Sequence, residues 1–137
     1  MTNKTVMKKL IFFCFVGCAI TAPAFSQTYE EWSDRVVVAT EQDSLAQAEE
    51  YILKALRLEP ANPHNALLFS NLGTIQRRQQ DYEKALESYT FALNIAPRTL
   101  PILLNRAALY LELGKNDLAR VDYSLALDIE TSNEEAL

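Results

Sequence analysis

The sequence predicts an all-α fold made of antiparallel helix pairs. Apolar residues recur along the 137-residue chain at steps of three and four, the spacing of one face of a helix. Glycine occurs only three times, and no long segment alternates with a period of two. A helical hairpin also recurs along the chain, which indicates a repeat architecture.

The clearest hairpin spans residues 66–97. Its first helix carries Phe69, Leu72 and Gly73 on one face, and its second helix carries Ala85, Tyr89 and Ala92 on one face. Gln80-Asp81 separates the two patterns, and Pro97 cannot continue the second helix. Gly73 and Ala85 are small residues where the helices approach, so we expect the two axes to pack closely.

The hairpin recurs in both directions. Ala85, Tyr89 and Ala92 reappear 34 residues onward in a third copy, and the corresponding positions 37 residues back form a first copy. The third copy has Ala107 in place of Gly73, and the first copy has Val36 there. The signature residues are Trp32, Ala48, Ala55, Pro60, Leu72, Gly73, Ala85, Tyr89, Ala92, Pro97, Tyr110, Ala119, Tyr123 and Ala126.

This pattern resembles the tetratricopeptide repeat, a helix–turn–helix unit with a period of about 34 residues. The resemblance implies a right-handed superhelical array of about three antiparallel pairs. We expect a domain over residues 28–131, with repeats at about 29–62, 66–99 and 100–133. The aromatic residues at repeat positions are then expected in the core, namely Phe69, Tyr89, Tyr110 and Tyr123.

Helix boundaries follow from the caps. Thr28 and Glu31 fit a capping box, Asp43-Ser44 and Asp81 fit N-caps, and Asn62 before Pro63 fits the start of the third helix. Residues 132–135 also read as a capping-box start, so residues 132–137 are predicted as an incomplete further helix or a tail. The predicted helices cover residues 28–40, 45–58, 63–79, 82–95, 100–113 and 117–129.

Residues 1–26 are predicted to be a secretion signal. Lys4, Lys8 and Lys9 precede an apolar run over residues 10–20, which is shorter than the ~20 residues that cross a bilayer. Cleavage after Ser26 would export the chain to the periplasm or the medium. The alternative is a lipoprotein, since residues 15–18 resemble a loose lipobox that would anchor the chain at Cys18.

Loss of the signal changes the composition. It removes both cysteines and three lysines but no acid, so the formal net charge moves from −5 to −8. An acidic chain without a basic stripe argues against a nucleic-acid partner. His64 is the lone histidine, and no nucleophile elbow or phosphate loop is present, so we expect no metal, no cofactor and no enzyme activity.

The resemblance implies a concave groove lined by the first helices of the repeats. The candidate binding residues are Ser70, Asn71, Thr74, Arg77, Arg78, Asn105 and Ala108, flanked by Ser33, Val37, Leu104 and Leu111. Asn71 and Asn105 can bond a peptide backbone. Arg77 or Arg78 can bind a carboxylate, or they can complement the negative end of their own helix.

Some family members clamp the C-terminal carboxylates of heat-shock proteins with Lys, Asn, Asn, Lys and Arg. Only Asn71 matches that set; the other four places hold Ser33, Val37, Pro101 and Asn105. We therefore do not expect this activity.

Two functions remain open at this point. One is an exported module that binds a protein or peptide partner in the groove, for instance during assembly of an envelope complex. The other is a structural piece that pairs through an apolar stripe on the last helix, formed by Leu118, Val121 and Leu125, unless that stripe leans on the helix before it. In the second case the chain is a homo-oligomer, or a fragment of a longer repeat protein covered by further repeats.

Overall fold

The computed structural model describes residues 27–135, and within that range it contains six helices and no strand. The helices are α1 (Tyr29–Glu41), α2 (Leu45–Leu58), α3 (Asn65–Arg78), α4 (Tyr82–Ile95), α5 (Leu100–Glu112) and α6 (Asn116–Glu135). Each odd-numbered helix packs most extensively on the helix that follows it. The predicted all-α array of helix pairs is confirmed. The predicted secretion signal and the alternative anchor at Cys18 lie outside the described residues.

The helix starts follow the sequence in part. Thr28 and Glu31 form the predicted capping box: the Thr28 hydroxyl accepts from the Glu31 N–H at 3.2 Å, and the Glu31 carboxylate accepts from the Thr28 N–H at 3.0 Å. Ser44 and Asp81 stand at N-cap positions without a side-chain cap bond. Asp81 instead pairs with Lys84 at 2.9 Å, and this contact lowers the pKa of the Asp81 carboxyl.

The turns inside the three repeats share one backbone motif. Each has a residue with positive φ: Asp43 at 58°, Gln80 at 64° and Gly114 at 71°. The N–H of the next residue then bonds a carbonyl five residues back, as in Asp81 N to Gln76 O at 2.8 Å. Only the third turn uses glycine, so the first two carried no glycine signal.

The turn between the first and second repeats differs from the prediction. The third helix begins at Asn65 rather than Pro63. Asn65 is fully buried. Its side-chain oxygen Oδ1 accepts from the Tyr29 hydroxyl at 3.0 Å, and its side-chain Nδ2 donates to the Glu59 backbone carbonyl at 2.8 Å. Asn62 caps the preceding turn by accepting from the His64 N–H at 2.8 Å. The residues between Leu58 and Asn65 therefore form a hydrogen-bonded turn and do not belong to the third helix.

The last helix is longer than predicted. It continues unbroken to Glu135, although the sequence suggested an end near residue 129. Ser132 does not cap a new helix, because its hydroxyl donates to the Asp128 carbonyl at 2.7 Å inside the same helix. Thr131 stands where the first two repeats have proline, and unlike proline it keeps the backbone N–H that a helix needs.

The buried side chains form two clusters. The first lies among α1, α2 and α3 and includes Val36, Ile52 and Ile75. The second lies among α4, α5 and α6. Phe69, on α3, packs against both. The cores are therefore displaced by one helix from the repeats of the sequence: α3 belongs to the first core, and its partner α4 belongs to the second.

The close approach predicted inside the central hairpin is confirmed. A Cβ atom on Gly73 would lie 2.8 Å from Tyr89 Cε1 and 3.1 Å from the Ala85 carbonyl oxygen. The Tyr89 side chain is fully buried, and its hydroxyl lies 3.0 Å from Thr74 Oγ1. The absence of a side chain at Gly73 thus provides the space for the Tyr89 ring.

The expectation that Tyr123 lies in the core is wrong. Tyr123 is 37% exposed, whereas its counterpart Tyr89 is 0% exposed. Two differences account for this. The third repeat has Ala107 in place of Gly73, and within the described residues no helix packs over α6 as α5 packs over α4.

Candidate peptide-binding groove

A cleft lies between the first helices of the first two repeats. Its volume is about 240 Å³, and its lining combines an apolar floor with hydroxyl, amide and charged groups. The lining residues are Val37, Thr40 and Glu41 from α1 and Asn71, Thr74, Ile75 and Arg78 from α3. Four of the predicted groove positions therefore meet in one cavity: Val37, Asn71, Thr74 and Arg78.

The two candidate arginines each bind an acid of a neighbouring repeat. The Arg77 guanidinium is bonded to the Glu112 carboxylate, with Nε to Oε2 at 3.2 Å, and this hydrogen bond raises the pKa of Arg77. Arg78 pairs with Asp43 in the turn of the first repeat. Both cations are therefore neutralised by the protein. The sequence had left a carboxylate ligand or a helix-end charge as their two roles, and ion pairing between repeats is a third.

The remaining candidates are placed as follows. Ser70, one of the predicted groove residues, is buried with 7% of its surface exposed. Asn71 and Asn105 are half-buried, and the hydrogen bonds between described residues involve neither amide. Ala108 is half-buried, while Leu104 and Leu111 are 39% and 49% exposed. The first helix of the third repeat thus adds apolar surface to the same side of the array.

The three residues of the predicted stripe on the last helix differ in exposure. Leu118 and Val121 are 48% and 65% exposed. Leu125 is half-buried and packs against the second core cluster. The interpretation that the stripe leans on its own domain therefore holds for Leu125 and does not hold for the other two residues.

One feature that sequence analysis missed is a buried ion pair in the third repeat. Asp122 is 3% exposed, and both its oxygens accept from the Arg106 guanidinium at 2.8 Å. This contact raises the pKa of Arg106. The second repeat has Leu72 and Ser88 at these two places. Opposite charges that replace two facing residues together were the signal available in the sequence.

Within residues 27–135, no helix is long and apolar enough to span a membrane. His64 and the acids of this range form no group of three or more that could hold a metal ion.

A sequence profile described as "Tetratricopeptide repeat" matches residues 67–99 and 100–133. The chain carries tetratricopeptide repeats. The matched segments are the second and third helix pairs, and the first pair, α1–α2, repeats their antiparallel arrangement.

Solved tetratricopeptide repeat structures superpose on most of the chain. A tetratricopeptide repeat protein from Parabacteroides merdae is 44% identical, with a TM-score of 0.72, over 79% of this chain and 42% of that one. The second such domain of Spaghetti (RPAP3), solved with the HSP90 peptide SRMEEVD, is 23% identical with a TM-score of 0.68, over 75% of this chain and 93% of that one. The second likeness shows the fold alone.

Curated relatives are similar over small parts of their length. A UDP-N-acetylglucosamine–peptide N-acetylglucosaminyltransferase of Giardia intestinalis is 33% identical over 100 residues, which are 73% of this chain and 7% of that protein. The mouse protein O-mannosyl-transferase TMTC3 is 26% identical over 92% of this chain and 12% of its own length. Because the chain spans so little of either protein, neither transferase activity is assigned to it.

Proposed function

We propose that this protein is a non-catalytic interaction module that binds a peptide segment of a protein partner along the first helices of its repeats. The observation that supports this most directly is the cleft between α1 and α3, where four of the residues expected to line the groove meet. Two tetratricopeptide domains of Spaghetti (RPAP3), which superpose on this chain, were solved with a peptide bound. A protein partner therefore fits the site better than a small molecule.

The chemistry of the groove favours an apolar segment that is neutral or basic. Val37 is 53% exposed at its edge, and Leu104 and Leu111 extend the apolar surface towards the third repeat. Glu41 lines the cleft, while Arg77 and Arg78 are already paired with acids of this chain. An acidic peptide would have to displace those pairs, whereas an apolar segment with flanking Lys or Arg would not.

Site-specific photocrosslinking tests the groove. A benzophenone amino acid is placed at Val37, and for comparison at Glu87 on the exposed side of α4. We expect the Val37 variant, illuminated in its native cells, to form adducts with a discrete partner that the Glu87 variant does not form. Equal adducts from both positions, or none from Val37 in cells where the protein is expressed, would refute groove binding.

Peptide binding tests the proposed selectivity. SRMEEVD, the peptide present in the Spaghetti structure, is acidic and ends in a carboxylate. We expect it to bind with a Kd weaker than about 1 mM in isothermal titration calorimetry, because Arg78, which lines the cleft, is already paired with Asp43. Binding at micromolar Kd would overturn the charge argument and leave the groove proposal intact.

We further propose that the module acts after export, as a periplasmic or secreted protein that aids assembly of an envelope complex. The support is the leader-like pattern of residues 1–26: positive start, apolar run and small residues before Gln27. A lipid anchor at Cys18 is the alternative placement, and it would hold the same groove at a membrane surface.

A further inference from the structure

The C-terminal end of the array presents a surface that the second repeat keeps covered. On α4, Leu86, Tyr89 and Leu93 are 8%, 0% and 7% exposed under α5. The corresponding positions on α6 are Arg120, Tyr123 and Leu127, where Tyr123 is 37% and Leu127 62% exposed. Leu111 beside them is 49% exposed. We call Leu111, Arg120, Tyr123, Leu127 and Glu130 the end face.

Leu111, Arg120, Tyr123 and Leu127 of the end face line a shallow, open depression of about 420 Å³. Leu111 on α5 forms one wall, and α6 supplies the rest. It lies on the opposite side of the buried seam of α6 from Leu118 and Val121, because residues 119, 122 and 126 are buried between the two surfaces. The end face is therefore a different surface from the stripe predicted from the sequence.

The other end of the array does not complement it. Where α3 presents Leu68, Leu72 and Ile75 to the preceding repeat, α1 has Glu31, Arg35 and Val38, all exposed. Two of these three residues are charged, as at the polar outer face of a terminal repeat. Head-to-tail stacking of copies would place it on the apolar end face, which is a poor match.

The end face is instead complementary to itself. Residues 120, 123, 127 and 130 follow each other at steps of three, four and three, so they form one stripe along α6. The stripe is symmetric about position 125. If a second α6 lies antiparallel across that point, Tyr123 meets Leu127 of the other copy, and Arg120 meets its Glu130. Both pairs occur twice, as in an isologous two-fold interface.

The charges support this arrangement. Arg120 and Glu130 are exposed, and the ion pairs within residues 27–135 include neither of them. They lie ten residues apart, about 15 Å along the helix, at opposite ends of the apolar centre. A parallel arrangement would place like charges together, so the pattern selects the antiparallel one.

We propose that the end face is a homodimer interface, occupied by α6 of a second copy of this chain. The dimer joins the two C-terminal ends and leaves the cleft between α1 and α3 open in both copies. This inference does not depend on peptide binding in that cleft, because none of the cleft residues belongs to the end face.

Sedimentation of the full chain over a wide concentration range tests the proposal. We expect a monomer–dimer equilibrium, and we expect Leu127→Glu to weaken it by about a hundredfold because it places a charge in the apolar centre. The matched control is Val121→Glu, an equally drastic change at a more exposed residue on the other flank of α6, which should leave the equilibrium unchanged. Far-UV circular dichroism verifies that both variants fold.

Charge reversal identifies the occupant. Arg120→Glu should weaken dimerisation about tenfold or more, and Arg120→Glu/Glu130→Arg should restore it, because the pair is then re-formed across the two-fold axis. A monomer at every concentration up to about 0.1 mM, a failed rescue, or growth into larger oligomers would overturn the proposal. Larger oligomers would indicate head-to-tail stacking. A monomer at every concentration would indicate that another segment or partner covers the end face.

Discussion

Replacing Gly73 by alanine should destabilise the protein, although alanine is the better helix former. At an open helix position, Gly→Ala stabilises by about 1 kcal/mol. At Gly73 the new methyl group would lie 2.8 Å from Tyr89 Cε1 and 2.9 Å from Tyr89 Cδ1, with the Ala85 carbonyl oxygen at 3.1 Å. The ring has no free space, because Tyr89 is fully buried and its hydroxyl is held beside Thr74.

The magnitude follows from three opposing contributions. Overpacking a tight core costs about 1–3 kcal/mol. Loss of the Tyr89–Thr74 hydrogen bond adds about 1 kcal/mol. The gain in helix propensity offsets about 1 kcal/mol. We therefore expect Gly73→Ala to lower the free energy of unfolding by about 2 kcal/mol, which for a domain of this size lowers Tm by roughly 8 °C.

Thermal and urea unfolding followed by circular dichroism measure this effect. The control is a double-mutant cycle with Tyr89→Leu, which removes the ring. In that background Gly73→Ala should be neutral or stabilising, because the clash is gone and the propensity gain remains. A Gly73→Ala protein as stable as the wild type, or more stable, would show that the ring yields easily and that the close approach does not constrain the hairpin.

Two further predictions concern the third repeat and the chain start. Asp122→Ala should cost about 3 kcal/mol in urea unfolding, because Arg106 is left without its buried partner. Arg106→Leu/Asp122→Ser, which installs the residues of the second repeat, should recover most of that loss, and equal stabilities of the two variants would contradict the pairing argument. N-terminal sequencing of the protein from its own cells should find Gln27 first. Retention of residue 1 would exclude export by cleavage, and an acylated Cys18 would establish the anchor instead.

Helix periodicity and the recurrence of the hairpin were sufficient to predict an all-α array of helix pairs. The bounds of α4 were predicted to the residue, since Gln80-Asp81 and Pro97 interrupt the pattern on both sides. The start of α3 was missed for a different reason: Asn65 stabilises the turn through Tyr29 and the Glu59 carbonyl, and such long-range hydrogen bonds leave no local signal. Local sequence patterns therefore predict the helix ends that depend on neighbouring residues. They do not predict helix ends that depend on contacts with other helices.

The sequence predicted which residues share one side of the array, and it did not predict the ion pairs beside them. Repeat register placed Val37, Asn71 and Thr74 on one side of the array, because equivalent residues of stacked helices share a face. The pairing of Arg77 with Glu112 and of Arg78 with Asp43 depends on how far each helix end reaches across the next repeat. That distance depends on how the repeats pack, so the sequence did not indicate that Arg77 and Arg78 would be paired with acids.

Each core combines one helix pair or single helix with helices of the neighbouring repeat, and this affects how repeats can be gained or lost. The segment that recurs in the sequence is a first helix and its partner, yet the segment that packs is a pair together with the first helix of the next copy. Deleting one copy at a sequence boundary therefore uncovers the second helix of the copy before it. Without α5, for example, the apolar side of α4 would be exposed to solvent. Such a deletion costs least stability where the helix left uncovered carries polar residues on that side.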